Sequence, residues 1–153
     1  MVCRLNDRLC ALPIAHVVET MRPMAVRGVA ECPSFVLGVS VIRGQAVPVI
    51  DAASLLGAPG SHPARIVTVA IDGRRIALAV EAVLGVMEIP LEFISGLPPL
   101  LRDAAGDVVS ALGALDRELL YVLNSARIVP GPVWAALQSK PVPGDERAGN
   151  SQH

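Results

Sequence analysis

The chain has 153 residues, a formal net charge of −1 and 52% hydrophobic residues, of which few are aromatic (3% of the chain). Such a core must be built from Val, Leu, Ile and Ala, and β-branched residues in short runs favour strands. The charge gives no basic field for nucleic acid or an anionic membrane, and no apolar run approaches the roughly 18 residues of a membrane helix.

The length fits one domain, or two small subdomains sharing a core. Val2 to Leu5 reads as a first strand, turned by Asn6-Asp7-Arg8 into Leu9 to Ile14. Two-residue alternation puts Cys10, Leu12 and Ile14 on one face. Val17 to Met21 is the next strand, and Pro23, Gly28 and Pro33 punctuate the connection after it. Val36 to Ile42 and Ala46 to Ile50 form a hairpin around Arg43-Gly44-Gln45, where Gly44 supplies the backbone freedom of the turn. Pro48 cannot donate to a ladder, so its strand is expected at an edge or with an irregularity there.

Residues 57 to 63 form a loop. Ile66 to Ile71, the hairpin signal Asp72-Gly73 and the return strand through Ile76, Leu78 and Val80 follow. Val83 to Ile89 extends that strand. Pro90 to Gly106 is a long connection. Leu112 to Leu115 and Leu119 to Leu123 make a second hairpin, turning at Asp116-Arg117-Glu118. Pro132 to Gln138 fits one or two helical turns, with Pro132 in the favoured first position. Residues 139–153 are polar and rich in Pro and Gly, which predicts a disordered tail. About nine or ten short strands with little helix point to an all-β fold of small closed barrels, since closure protects strand edges.

The chain also repeats itself. At a shift of 73, Ile42 meets Leu115, Val47 meets Leu120, Val49 meets Val122, Asp51 meets Asn124 and Leu56 meets Val129. At a shift of 66, Cys10 meets Ile76, Leu12 meets Leu78, Val17 meets Val83 and Val18 meets Leu84. Two related β units packed together fit this better than a solenoid.

Chemistry is scarce. There is no phosphate-cradling glycine loop and no Gly-x-Ser-x-Gly elbow. His16, His62 and His153 are scattered, and no His, Cys and carboxylate cluster has metal-ligand spacing. Glu88 and Glu92 are separated by Pro90 and read as solvated loop charges. Cys3, Cys10 and Cys32 read as reduced, mostly buried thiols, and the first residues do not resemble a signal peptide. The expectation is a non-catalytic cytoplasmic protein without a cofactor or metal. Charges inside apolar stretches say more: Glu19, Arg43 and Glu81. Solvent-facing strand charges and a Glu19–Arg43 pair holding a binding face are both open readings.

Leu37-Gly-Val-Ser-Val-Ile-Arg-Gly-Gln-Ala-Val-Pro-Val-Ile-Asp51 resembles the signature of CheW-like domains. Ala11 to Glu19, Ile76 to Val86 and Leu112 to Leu123 agree with the family pattern in the same order. The resemblance covers residues 1–138 as one domain. It implies two SH3-like five-stranded β-barrel subdomains with a hydrophobic groove between them. It further implies a non-catalytic chemosensory adaptor, or scaffold, that couples chemoreceptors to the histidine kinase CheA in signalling arrays. The expected partners are the regulatory domain of the kinase and the cytoplasmic signalling tip of a chemoreceptor, at membrane-associated arrays. The alternative is a divergent regulator of a chemosensory system for pili or surface motility, binding the kinase but not receptors.

Residue by residue, the resemblance places Glu19 and Arg43 on the motif Glu and Arg linked to receptor and kinase coupling. Val17, Gly38, Val83 and Val86 fall on the groove and its supporting strands, and Leu100 falls near an apolar loop residue facing the kinase. Plain barrel core is an equal reading for Val17, Val83 and Val86. The family's motif Asn is Val41 here, which questions the hydrogen bonding near the turn. The first strand is expected to be short.

Overall fold

The computed structural model describes residues 1–58, 62–96 and 107–139. The strands are β1 (Val2–Leu5), β2 (Arg8–Ala11), β3 (Val17–Met21), β4 (Val36–Ile42), β5 (Gln45–Asp51), β6 (Arg65–Ile71) and β7 (Arg74–Val80). They continue with β8 (Ala82–Gly85), β9 (Ile94–Gly96), β10 (Val109–Leu115) and β11 (Glu118–Leu123). Helix α1 (Ala52–Leu55) follows β5, and α2 (Gly131–Ser139) follows β11 after a 3-10 turn at Ser125–Arg127. The fold is nearly all β, as expected. The expected tail beyond Ser139 lies outside the described residues.

Two sheets result. One has six strands in the order β8-β1-β2-β11-β10-β9, the other five in the order β3-β6-β7-β5-β4. The repeat explains both orders. Under its two shifts β1, β2, β3, β4 and β5 correspond to β6, β7, β8, β10 and β11. Each sheet therefore takes the first two strands of one copy and the later three of the other, and the six-stranded sheet adds β9, which has no counterpart in the first copy. The registers agree residue by residue. Ala11 faces Val122 in the parallel β2–β11 pair, and Ala77 faces Val49 in the parallel β7–β5 pair. Cys3 faces Val83 as Val69 faces Val17, with a bulge beside each. The caps match too: Asp51 accepts from the amide of Ala53 at 3.2 Å, and Asn124 from that of Ala126 at 3.2 Å. Such side chains satisfy amides that a helical turn leaves free.

The core has three apolar layers. The largest lies between the sheets and includes Cys3, Cys10, Leu12 and Leu123 from one side and Ile50, Val67, Val69 and Leu78 from the other. A second, behind the five-stranded sheet, holds Ile42, Val47, Val49, Ile66, Ala77 and Ala79. A third, behind the six-stranded sheet, holds Val2, Leu9, Ala11 and Leu120. Strand β7 shows the logic. Ile76, Leu78 and Val80 face the shared layer while Ala77 and Ala79 face the narrower one, so alternation carries size as well as burial. Among the described residues the four buried polar ones are all bonded: Ser40 to the Ala25 carbonyl, Thr68 to that of Glu19, Ser125 to His16, and Asp51 as a cap.

Two expectations need correction, and a third holds in one of its two forms. Ile14 does not share the face of Cys10 and Leu12. Strand β2 ends at Ala11, Pro13 starts a 3-10 turn, and Ile14 is exposed. The strand from Val83 stops at Gly85, whose φ is +120°. Of the two alternatives for Pro48 the edge strand does not hold, because β5 lies between β7 and β4, whereas the ladder is irregular beside it, opposite Val49 and Ile50. Pro48 faces Val39, whose own amide and carbonyl bond Arg27 instead. The pairing of β5 with β7 begins only at Val49. The missing N–H thus falls outside both ladders.

Gly38 has a backbone reason to be glycine. Its φ is +146°, and a Cβ there would lie 2.0 Å from the Arg27 carbonyl oxygen. Gly38→Ala is expected to cost about 3 kcal/mol through strain and displacement of the segment around Arg27, read as a lower midpoint in urea denaturation at an unchanged slope.

Candidate functional site

The turn between β4 and β5 places Arg43. Arg43 and Gly44 have φ of +52° and +76°, the paired positive values of a tight hairpin turn closed by Ile42 and Gln45. The turn forms although Val41 stands where the family motif has Asn. Val41 is 56% exposed and pairs with Ala46. Strand β3 places Glu19 at the opposite edge of the same sheet, just past the bulge at Val18, where it pairs with Thr68.

These two residues meet. Arg43 Nε donates to Glu19 Oε1 at 3.3 Å and a terminal guanidinium nitrogen donates to Oε2 at 3.4 Å. The pair bridges the two ends of the strand order, so the sheet is rolled far enough to bring them together. The Arg43 side chain is 70% exposed and that of Glu19 is 29% exposed. An ion pair that wet contributes on the order of 0–1 kcal/mol. Its use is orientation: the fork is held by one carboxylate while its remaining donors face outward. Exposed Val18, Leu37 and Val41 lie on the same strands. An anchored arginine and exposed aliphatics on the same sheet are residue types found at protein-binding surfaces.

The other sequence-derived residues separate into groups. Val17 and Val83 are equivalent under the repeat. Both are half-buried on edge strands β3 and β8 and pack on the core between the sheets. They flank that core. Val86 is 63% exposed, beyond the end of β8, so the barrel-core reading does not hold for it. Gly38 acts through the backbone, as described above. Leu100 lies outside the described residues.

Several features were not anticipated. Leu84 within β8, and Met87, Leu91 and Phe93 in the segment after it, are exposed like Val86. Arg4 makes a tighter fork than Arg43, with donors 2.8 and 3.0 Å from the two carboxylate oxygens of Glu118. The signal was available: Arg4 interrupts an apolar strand just as Glu19 does. Glu81, which the same signal did single out, accepts from the Asn6 amide at 2.6 Å and so serves a turn.

Among the described residues the clearest pKa shifts belong to side chains that bond one another. The hydrogen bond with Arg4 holds the Glu118 carboxyl below its ordinary value. The Cys10 thiol is held well above its ordinary value, first by its hydrogen bond with Cys3 and then by burial. It stays a neutral core thiol. Among the described residues no cluster of three His, Cys, Asp or Glu can hold a metal ion. No described helix is long and apolar enough to cross a membrane.

Comparisons with known proteins agree with this geometry. The family description "CheW-like domain" matches residues 1–132. Protein FrzA of Myxococcus xanthus is 31% identical over 133 residues, covering 82% of this chain and 81% of that protein. The probable chemotaxis protein CheW of Rhizobium etli is 27% identical over 124 residues, covering 79% and 80%. The chemotaxis protein CheW of Klebsiella aerogenes is 25% identical over 142 residues, covering 91% and 86%. The crystal structure of the scaffolding protein TtCheW from Thermoanaerobacter tengcongensis superposes with a TM-score of 0.73 at 25% identity, over 86% of this chain and 92% of that one. The chain belongs to the CheW-like domain family.

Glu118 gives a pH prediction. A depressed folded-state pKa contributes stability above the unfolded carboxylate value and loses it as pH falls through the folded one. The Glu118 carboxyl, followed by carbon NMR, should titrate below the usual glutamate value of about 4.3, and Arg4→Gln should return it there. An unshifted wild-type midpoint would contradict the Arg4–Glu118 pairing.

Proposed function

We propose that this CheW-like chain is a non-catalytic chemosensory adaptor. It couples chemoreceptors to the histidine kinase CheA, binding the regulatory domain of the kinase and the cytoplasmic signalling tip of the receptor. It works in the cytoplasm at membrane-associated arrays, without a cofactor. The observation that supports this most directly is the Glu19–Arg43 fork, exposed at its Arg43 end, on strands that also carry exposed aliphatic side chains. Val17 and Val83 would line the receptor-facing groove beside the shared core, with Gly38 holding the backbone behind it. Val86 would contribute exposed apolar surface, and Leu100 a contact to the kinase. Interiors filled by side chains leave partner surfaces as the place for function.

One observation favours a second reading, a divergent regulator for pili or surface motility that binds the kinase but not receptors. The signature position of the motif Asn is occupied by Val41, whose exposed side chain offers no hydrogen bond.

The test is binding of the purified chain to a kinase regulatory domain and, separately, to a receptor signalling tip. Arg43→Ala should weaken adaptor binding by about 10-fold or more, the effect of losing an interface arginine, while the melting temperature stays within about 2 °C, as an exposed pair predicts. Binding to kinase alone would select the regulator. Binding to neither by a folded chain would overturn both readings.

A further inference from the structure

The repeat makes the two halves comparable at one place where they differ. In the first half Arg8, at the start of β2, donates to the Leu56 carbonyl at 2.7 Å, and its guanidinium lies 5.7 Å from the centroid of the Tyr121 ring. A shift of 66 turns Arg8 into Arg74, and a shift of 73 turns Leu56 into Val129. The hydrogen bond is not repeated. Among the described residues no atom accepts a hydrogen bond from the Arg74 guanidinium, which instead lies 5.1 Å from the centroid of the Trp134 ring. Beside it opens a cavity of about 280 Å³, bounded by Arg74, Trp134, Ile71, Ile76, Val129 and Asp72.

The cavity has the chemistry of a receptor for one acidic side chain and an aliphatic neighbour. Arg74 presents a planar fork suited to a carboxylate, already positioned over an indole that fixes its plane. Ile71, Ile76 and Val129 supply apolar wall. The volume is below the roughly 300–1,000 Å³ of small-molecule sites and suits a side chain or two. Asp72 is the one acid of the lining, and no ion pair joins it to Arg74 within 4.0 Å. Ser125 and Ala126 complete the lining, in which Arg74 is the single cation and Asp72 the single anion.

We propose that this cavity is a second docking site, which takes a carboxylate-bearing peptide segment of a partner protein. The partner's carboxylate receives from Arg74 the hydrogen bonds that the Leu56 carbonyl receives from Arg8. An aliphatic residue beside it packs on Trp134. The site shares no residue with the Glu19–Arg43 face, so it stands whether or not that face binds kinase and receptor.

Trp134 is the single tryptophan of the chain, so its fluorescence reports on the cavity. The probes are acetyl-Leu-Glu-Leu-amide and the same peptide with Gln. The Glu peptide should give a saturable change at about millimolar concentration or below, the range of one good anchor. Arg74→Gln should weaken it about 10-fold or more, as loss of charge-assisted bonds predicts. Arg75→Gln, on the opposite face of β7, should leave it unchanged. Arg74→Glu should bind acetyl-Leu-Lys-Leu-amide instead, which separates lost charge from lost folding. An equal response to the Glu and Gln peptides, no saturation by the Glu peptide, or full binding by Arg74→Gln would overturn the proposal.

Discussion

The apolar layer between the two sheets is the constraint on which the rest of this structure depends. Neither sheet can exist without it, because the central strands β2 and β7 are apolar on both faces and need a partner on each. Its composition follows from the shortage of aromatics. A core of Val, Leu, Ile and Ala gains its burial energy in small increments of about 0.8 kcal/mol per buried CH₂, so it must be continuous to be large. Exchange of the first two strands between copies provides that continuity. Cys3, Cys10 and Leu12 enter from one copy against Val67, Val69 and Leu78 of the other, and the parallel pairs β2–β11 and β5–β7 are the seams where the copies cross.

Once both interiors are filled, chemistry is displaced to the outside. The buried polar groups are each satisfied locally, and the one thiol with a strongly raised pKa is inert. What remains are forks of arginine held at the surface by different means. Arg4 is spent on Glu118 at short distance. Arg43 is tethered loosely by Glu19 and keeps donors free. Arg74 has an aromatic neighbour and, among the described residues, no acceptor. These are three degrees of commitment of one side-chain type, and they order the residues from structural to available.

Much of this was legible in the sequence. The turns at Arg43-Gly44 and Asp72-Gly73, the alternation of β6 and β7, and the repeat all rest on local signals of backbone and burial, and these survive folding. The pairing of Glu19 with Arg43 was legible because both interrupt apolar runs. The exchange of strands was not, since the repeat says which strands correspond and not which copy they pair with. Ile14 misled because apolar alternation was continued through Pro13, which ends the strand. The edge alternative for Pro48 misled because the exclusion of proline from inner strands holds only where its nitrogen faces a ladder. The cavity at Arg74 was invisible, for it is a difference between halves that sequence alignment renders as a match.

The crossing of the copies has a consequence for how the chain is made. Strands β3 to β7 form a contiguous stretch and supply one whole sheet. Strands β1 and β2 leave the ribosome first, yet their outer neighbours β8 and β11 lie some 80 to 110 residues later. During synthesis the first hairpin must wait, apolar on both faces, until the last strands arrive. Loop closure over that distance costs little equilibrium free energy but slows folding. A half-built chain would therefore hold all strands of the five-stranded sheet beside a leading hairpin whose neighbours are still missing.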